Sequence, residues 1–169
     1  MKNVFLVFTL LFCYTIATAQ TVNILVAKFR DPRSSTPPTY LYWRHIDYRC
    51  EISELKTPLD RLDASFKIVK GLVPNCTDCI SFESVNYPGY FLRRSVQNII
   101  LTKLDNDTDK KEASFVRVQV QEGRGISYHL YNFPHLYIQT VYSSLGIGAH
   151  TDDIFSRNAI YFQEVIIKE

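Results

Sequence analysis

The sequence predicts an all-β protein built from three copies of one unit. Residues 81–94 have the pattern of two short strands, rich in aromatic residues, joined by a tight Asn-Tyr-Pro-Gly turn. A similar pattern recurs 46 positions later and, less completely, 49 positions earlier. A repeat of this period is typical of a repeat architecture, and each unit is too small to bury its own apolar face. We therefore expect three units that share one core.

The first 19 residues have the features of a secretory signal peptide. Lys2 precedes a mostly apolar run at 4–12, and Ala17-Thr18-Ala19 fits a small-x-small cleavage site. The apolar run is shorter than the roughly 20 residues that a membrane span needs. We expect a secreted, extracellular protein with no membrane span, whose mature part is residues 20–169.

The remaining chain predicts one domain of short strands with no long helix. The full sequence has 11 Tyr and 11 Phe, and its Pro and Gly residues fall between short apolar runs. The repeats span about residues 24–72, 73–122 and 123–169. The formal charge is +2, or +1 without Lys2, and no basic stripe is present. This composition argues against a nucleic-acid partner.

The repeat alignment predicts which residues lie in the core. It makes Phe66, Phe115 and Tyr161 equivalent residues of the last strand in each unit. It also places Cys50 in a core position shared with apolar residues of the other units. Only the first copy is disturbed, by an insertion at residues 30–39.

The run Ser-Phe-Glu-Ser-Val-Asn-Tyr-Pro-Gly-Tyr-Phe-Leu-Arg at residues 81–93 resembles the arabinose-binding domain of α-L-arabinofuranosidase B, a family of carbohydrate-binding modules. The segment at 66–72 is similar to the link between repeats in that family, and the resemblance covers residues 24–166. It implies a β-trefoil of three four-stranded repeats, with twelve strands in all. In the resembled enzymes catalysis lies in a separate large domain, which this chain lacks. The resemblance therefore implies a sugar-binding module without enzyme activity.

The resemblance also implies where a sugar would bind. In the family, a His and an Asp of each repeat clasp the hydroxyls of an arabinofuranose residue. The first copy keeps both, as His45 and Asp63, and Tyr48 is the nearest aromatic side chain that could cover the C–H face of the sugar. These residue types suit the task, because a carboxylate accepts from two hydroxyls and a neutral imidazole both donates and accepts. We expect Asp63→Ala to abolish binding without unfolding the domain.

The other two copies depart from this pattern. The second copy has Arg94 and Glu112 in the matching positions, which makes them further candidates for sugar binding. Their opposite charges favour the alternative that they pair with each other and close the pocket. The third has Thr140 and Asn158, which predict a lost or altered site.

The cysteines predict one disulfide and no metal site. Cys13 lies in the signal peptide, so the mature chain keeps Cys50, Cys76 and Cys79, an odd number. A local bridge between Cys76 and Cys79 is one pairing, and Cys50 with either of them is the alternative. A single CxxC without a partner pair does not predict zinc, and no cofactor is expected.

Two sequons predict N-glycosylation. Asn75 and Asn106 each begin an Asn-x-Ser/Thr sequence and fall in predicted loops.

Two functions remain open from the sequence, and neither is enzymatic. We find no G-x-S-x-G, H-E-x-x-H, P-loop or dinucleotide motif, and a small trefoil leaves little room for two carboxyls that face each other across a cleft. The first function is a secreted, lectin-like module that binds a glycan or polysaccharide with exposed furanose residues. The second is a β-trefoil interaction module that binds a protein partner through its loops, as protease inhibitors and cytokines of this shape do.

Overall fold

The computed structural model describes residues 19–29, 39–119, 125–149 and 161–167. Almost all of the predicted signal peptide lies outside these residues, as do Asn158 and all but the last residue of the insertion at 30–39. Within the described residues, the chain forms twelve strands and two helices of six residues each. The all-β prediction is therefore confirmed.

The elements follow one another with short connections. The strands are β1 (Gln20–Phe29), β2 (Thr39–Ile46), β3 (Arg49–Ser53), β4 (Phe66–Lys70), β5 (Cys79–Ser84), β6 (Phe91–Ser95), β7 (Asn98–Thr102), β8 (Phe115–Gln119), β9 (Ile126–Leu130), β10 (Leu136–Val141), β11 (Ser144–Ala149) and β12 (Gln163–Ile166). Helix α1 (Pro58–Asp63) lies between β3 and β4, and α2 (Asp107–Glu112) lies between β7 and β8. In the part of the chain described, no helix is long and apolar enough to cross a membrane.

Alternation along the strands sets which side chains face the core. In β7, Ile99 and Leu101 are buried, and the intervening Ile100 is half-buried. In β2, Trp43 and His45 are buried and Arg44 between them is half-buried. This period of two is the geometry of an extended strand with one face covered.

Six strands pair into a closed ring. The ring runs β1, β4, β5, β8 and β9, and a bridge between Ile126 and Phe162 joins β9 to the residue before β12. β12 then pairs with β1 and completes the circle. A closed ring has no free edge for another chain to pair with.

Three hairpins, β2–β3, β6–β7 and β10–β11, meet one another in cyclic order. Strand β3 pairs with β7, β7 with β11 and β11 with β3. The turn of each hairpin is also tied to the next hairpin, because one turn carbonyl accepts a backbone N–H there at 2.8 Å. The three donor–acceptor pairs are Leu101 to Tyr48, Ile147 to Gln97, and Ile52 to Ser143.

The core is formed by matching residues from the three thirds of the chain. Trp43 lies among aromatic rings, with centroids 5.6 Å from Phe82, 5.7 Å from Tyr128 and 4.7 Å from Phe162, all in edge-to-face geometry. Such pairs add to the stabilisation from burial alone. Further buried sets are Cys50 with Ile99 and Leu145, and Ile52 with Leu101 and Ile147.

The last strand lies one residue later than the repeat alignment predicts. Tyr161 is half-buried, whereas Phe162 is 1% exposed and packs on Trp43. Phe162 bridges to β9 as Phe66 pairs with β1 and Phe115 with β5. The prediction for Tyr161 is therefore wrong, because one extra residue before the last strand changes which side chain faces inward.

The structure joins Cys76 and Cys79 in a disulfide, with Cα atoms 5.5 Å apart. Cys50 is a free thiol with 3% exposure in the core. Burial raises the pKa of the Cys50 thiol well above its ordinary value, so the thiol stays protonated. Cys50 therefore acts as a small apolar residue.

Candidate functional site

Strand β2 and helix α1 position the two predicted sugar-binding side chains of the first unit. His45 lies on the inward face of β2. Thr57 caps the N-terminus of helix α1: its side chain accepts from the backbone N–H of Asp60, and the Asp60 side chain accepts from the Thr57 N–H. This capping box fixes the start of the helix, and Asp63 is its last residue. Arg44 Nη1 lies 2.8 Å from Asp60 Oδ1 and ties the helix to β2.

His45 and Asp63 meet although 18 positions separate them in the sequence. His45 Nε2 lies 3.6 Å from Asp63 Oδ1, and the side chains are 5% and 12% exposed. The two side chains that the resemblance assigns to one sugar site therefore lie close together. They are more buried than a surface pair, so only their outer edges can contact a ligand.

Asn86 joins this pair, and sequence reasoning missed it. Its Nδ2 donates to Asp63 Oδ1 at 2.6 Å, and its Oδ1 lies 3.0 Å from His45 Nε2. Because a carboxylate only accepts, the amide nitrogen must face Asp63, so the amide oxygen faces the imidazole and His45 donates from Nε2. Ser84 Oγ donates to the same amide oxygen at 2.8 Å. We call His45, Asp63 and Asn86 the polar cluster.

Asn86 belongs to the Asn-Tyr-Pro-Gly turn after β5, in the second unit. The sequence explained this Asn as a turn residue, and nothing local indicates that the turn of one unit reaches the site of the preceding one. The recurrence of Asn-x-Pro at residues 132–134 was the available signal. It indicated a repeated feature without saying which contacts it makes.

Aromatic rings continue outward from the polar cluster. Tyr87 lies nearest, with its ring centroid 5.2 Å from that of His45 at an angle of 75°. Tyr48, the aromatic that the sequence predicts here, lies beyond it, 5.8 Å from Tyr87. Tyr87 is 40% and Tyr48 48% exposed. The aromatic face next to His45 therefore belongs to Tyr87.

The arrangement offers hydrogen-bonding groups that can bind hydroxyls. A carboxylate, an imidazole and an amide together offer acceptors and donors beside an exposed ring. The described residues contain no group of three or more His, Cys, Asp and Glu side chains that could hold a metal ion. Asp63 also has a structural role, since it anchors Asn86 and lies 3.7 Å from Arg44 Nη2. Asp63→Ala would therefore also remove contacts that hold the side chain of Asn86 in place.

Arg94 and Glu112 form a bidentate ion pair, as the sequence predicts. Arg94 Nε donates to Glu112 Oε2 at 2.6 Å and Nη2 donates to Oε1 at 3.0 Å. The hydrogen bond to Glu112 raises the pKa of Arg94 further, so the guanidinium stays charged. The guanidinium also lies 4.7 Å from the ring centroid of Phe133, the counterpart of Tyr87. Both carboxylate oxygens are engaged, which leaves little for a sugar to bind.

The other predicted site residues, Thr140, Asn75 and Asn106, lie outside the polar cluster. Thr140 is half-buried on β10, and its proposed partner Asn158 lies outside the described residues. Asn75 is exposed in the loop between β4 and β5, beside the Cys76–Cys79 disulfide. Asn106 is exposed at the start of α2, where its Oδ1 accepts from the Asp109 N–H at 2.9 Å.

The closed ring and the three hairpins define an all-β fold, which is shared with a Polyporus squamosus lectin and the BEL β-trefoil of known structure. The family model for the α-L-arabinofuranosidase B (ABFB) domain matches residues 33–163. The chain belongs to this family. No curated protein matches it in sequence.

Solved structures show the same fold. A GH54 α-L-arabinofuranosidase superposes with a TM-score of 0.72 at 21% identity, covering 89% of this chain and 32% of that one. An endo-β-galactosidase from Clostridium perfringens gives 0.63 at 12% identity, covering 88% and 33%. The BEL β-trefoil gives 0.58 at 11% identity, covering 88% and 93%. The chain thus spans about a third of the arabinofuranosidases that it resembles.

Proposed function

We propose that this protein is a secreted, lectin-like module that binds exposed furanose residues of a glycan or polysaccharide without hydrolysing them. The proposal rests on the polar cluster of His45, Asp63 and Asn86. The chain that holds this cluster belongs to the α-L-arabinofuranosidase B domain family. Only this domain is matched, over 33–163, which is consistent with a module that lacks a catalytic domain.

The chemistry of the cluster suits a small sugar ring. The outer lone pairs of the Asp63 carboxylate can accept from two neighbouring hydroxyls, in charge-assisted hydrogen bonds. His45 offers the edge of its ring, and the exposed ring of Tyr87 can cover the C–H face of the sugar. Tyr48 lies further out and extends this aromatic surface. Arg94 and Glu112 would contribute little, because they satisfy each other.

One such site binds weakly. Two charge-assisted contacts contribute roughly 1.5 to 3 kcal/mol each, and the ordering of ligand and side chains takes part of that gain. We expect a dissociation constant of about 1 mM, or about −4 kcal/mol. Useful binding then depends on clustered sugars or on several sites acting together.

The finer architecture belongs to the same proposal. The domain is a β-trefoil of three four-stranded units, at about residues 24–72, 73–122 and 123–169. The cyclic pairing of the hairpins and the matched turn hydrogen bonds support this division. The family match covers most of the proposed single domain at 20–169.

Secretion and glycosylation are also part of the proposal. The Cys76–Cys79 disulfide supports an oxidising compartment, because disulfides persist in extracellular proteins and are rare in the cytosol. The exposure of Asn75 and Asn106 is compatible with glycans on either residue.

A glycan array with purified protein, followed by titration with arabinofuranosyl oligosaccharides, tests the function. We expect binding to glycans with terminal furanose residues, lost in His45→Ala. The matched control is His135→Ala, which removes an exposed His outside the polar cluster and should leave binding unchanged. Failure to bind any glycan would overturn the proposal in favour of a loop-mediated protein interaction.

A further inference from the structure

Three tyrosine rings form a continuous surface beside the polar cluster. Tyr48, Tyr87 and Tyr90, here called the tyrosine platform, lie with ring centroids 5.8 Å apart in all three pairs. Tyr48 and Tyr90 are nearly parallel, at 22°. Tyr48 and Tyr87 are among the more exposed large apolar side chains of the described residues. Tyr87 meets the other two rings edge to face, at 62° and 63°. Together the three rings offer apolar ring surface to a ligand.

The backbone holds Tyr48 in an unfavourable conformation. Tyr48 has a φ of 65° and the preceding Asp47 a φ of 46°, both in the left-handed region. Glycine or asparagine usually occupies such turns, and a bulky residue there is an outlier that costs free energy. In the other two hairpin turns only the first residue, Val96 or Tyr142, has a positive φ. Retaining an aromatic ring at this position is consistent with a role for the ring.

A hollow adjoins Tyr48 and Tyr90 of the platform. It has a volume of about 390 Å³. Its lining includes Asp47, Tyr48, Arg49, Tyr90 and Thr102. Lys103 Nζ lies 5.5 Å from the centroid of the Tyr90 ring. An apolar floor with a few hydroxyl, carboxylate and cationic groups around it suits a sugar ring, which has C–H faces and an edge of hydroxyls.

The platform is not repeated at the junction between the second and third units. At the junction between the second and third units, the corresponding residues are Gln97, Phe133 and Leu136, so a single aromatic ring remains. The platform therefore coincides with the junction that also has the polar cluster.

We propose that Tyr48 and Tyr90, with the adjoining hollow, form a second subsite that binds the sugar residue linked to the one held by the polar cluster. Tyr87 contacts both His45 and Tyr90, so it lies at the boundary between the two subsites. The ligand is then a disaccharide or longer oligosaccharide rather than a single terminal residue. This subsite depends on the proposed function, since the polar cluster supplies the first sugar contact.

Titration with probes of two lengths tests the second subsite. The probes are methyl α-L-arabinofuranoside, which can fill one subsite, and arabinofuranosyl-α-1,2-xylobiose, which can fill both. The test variant is Tyr90→Leu, which copies Leu136 at the corresponding position of the third unit and keeps an apolar contact with the core. The control variant is Tyr142→Ala, whose ring is fully exposed on another hairpin turn.

We expect the longer probe to bind the unmodified protein about tenfold more tightly than the methyl glycoside, a ratio equal to about 1.4 kcal/mol. Tyr90→Leu should abolish this ratio without changing the affinity for the methyl glycoside, and Tyr142→Ala should change neither. Equal affinities for the two probes in the unmodified protein would overturn the second subsite and leave the proposed function intact. A preference that Tyr90→Leu retains would also overturn it. Binding of neither probe would overturn both.

Discussion

Asp63 combines two roles that the sequence presented as one. In the proposed function its carboxylate accepts from a sugar, but it also accepts a hydrogen bond from the Asn86 amide at 2.6 Å and lies near Arg44 and His45. Removing the whole side chain leaves a largely buried amide donor without a partner. A buried donor left without an acceptor lowers the free energy of unfolding by about 1–3 kcal/mol. An isosteric change separates the two roles better than truncation.

We predict that Asp63→Asn weakens sugar binding about tenfold, because hydrogen bonds to a neutral amide are about half as strong as those to a carboxylate. The fold should be affected less than in Asp63→Ala, since the new amide oxygen can still accept from Asn86. Titration with the arabinofuranosyl probe and urea unfolding measure the two effects. Unchanged binding in Asp63→Asn would show that the carboxylate does not contact the ligand.

Helix α1 is short, and its ends hold it in place. A helix of six residues has little stability of its own, so capping and tertiary contacts must stabilise it. Asp60 accepts from the backbone N–H groups of Lys56 and Thr57, each at 2.9 Å, and pairs with Arg44 on β2. The hydrogen bond from the Thr57 backbone is the main cause that lowers the pKa of Asp60 below its ordinary value of 3.8. Because α1 ends at Asp63, this cap also positions the polar cluster.

The lowered pKa of Asp60 predicts a specific pH dependence. A carboxyl whose pKa is lower in the folded state stabilises the protein fully above its unfolded pKa, near 3.8, and loses that contribution as the pH falls through the folded pKa. Asp60→Asn should therefore be less stable at neutral pH and show a shallower loss of stability below pH 3.8. Urea unfolding across this range measures the slope. Lys56→Ala, which changes an exposed side chain of the same segment, should keep the original slope.

At the scale of the whole molecule, stability depends on residues that the three thirds of the chain contribute in turn. Phe66, Phe115 and Phe162 are 0%, 0% and 1% exposed and begin or precede the last strand of each third. The ring of strands closes through the bridge made by Phe162. Loss of any one of these side chains leaves a cavity that the closed ring cannot easily collapse.

We predict that Phe66→Ala, Phe115→Ala and Phe162→Ala each lower the free energy of unfolding by about 3–5 kcal/mol. Tyr161→Ala should cost less than half as much, because its side chain is only half-buried. Urea unfolding of the four variants gives the comparison. A larger loss in Tyr161→Ala than in Phe162→Ala would mean that the last strand follows the uninterrupted repeat alignment instead.

The sequence by itself determined the features that depend on spacing along the chain. The period of the repeats, strand alternation and turn chemistry are local, and they predicted the all-β class, most core positions and a local Cys76–Cys79 bridge as one pairing. The sequence did not predict which side chains of the last strand face the core. One extra residue exchanges the inward and outward faces of a strand, and no local pattern indicates the insertion.

Only the tertiary structure decided how the candidate site is assembled. Asn86 reaches His45 and Asp63 from the next unit, and Tyr87 replaces Tyr48 as their nearest ring. A buried polar group must find a hydrogen-bond partner, but its residue type does not specify which distant segment supplies that partner. The path of the chain around the closed ring makes that choice. The site therefore joins segments that are far apart in the sequence, whereas its residue types were visible one segment at a time.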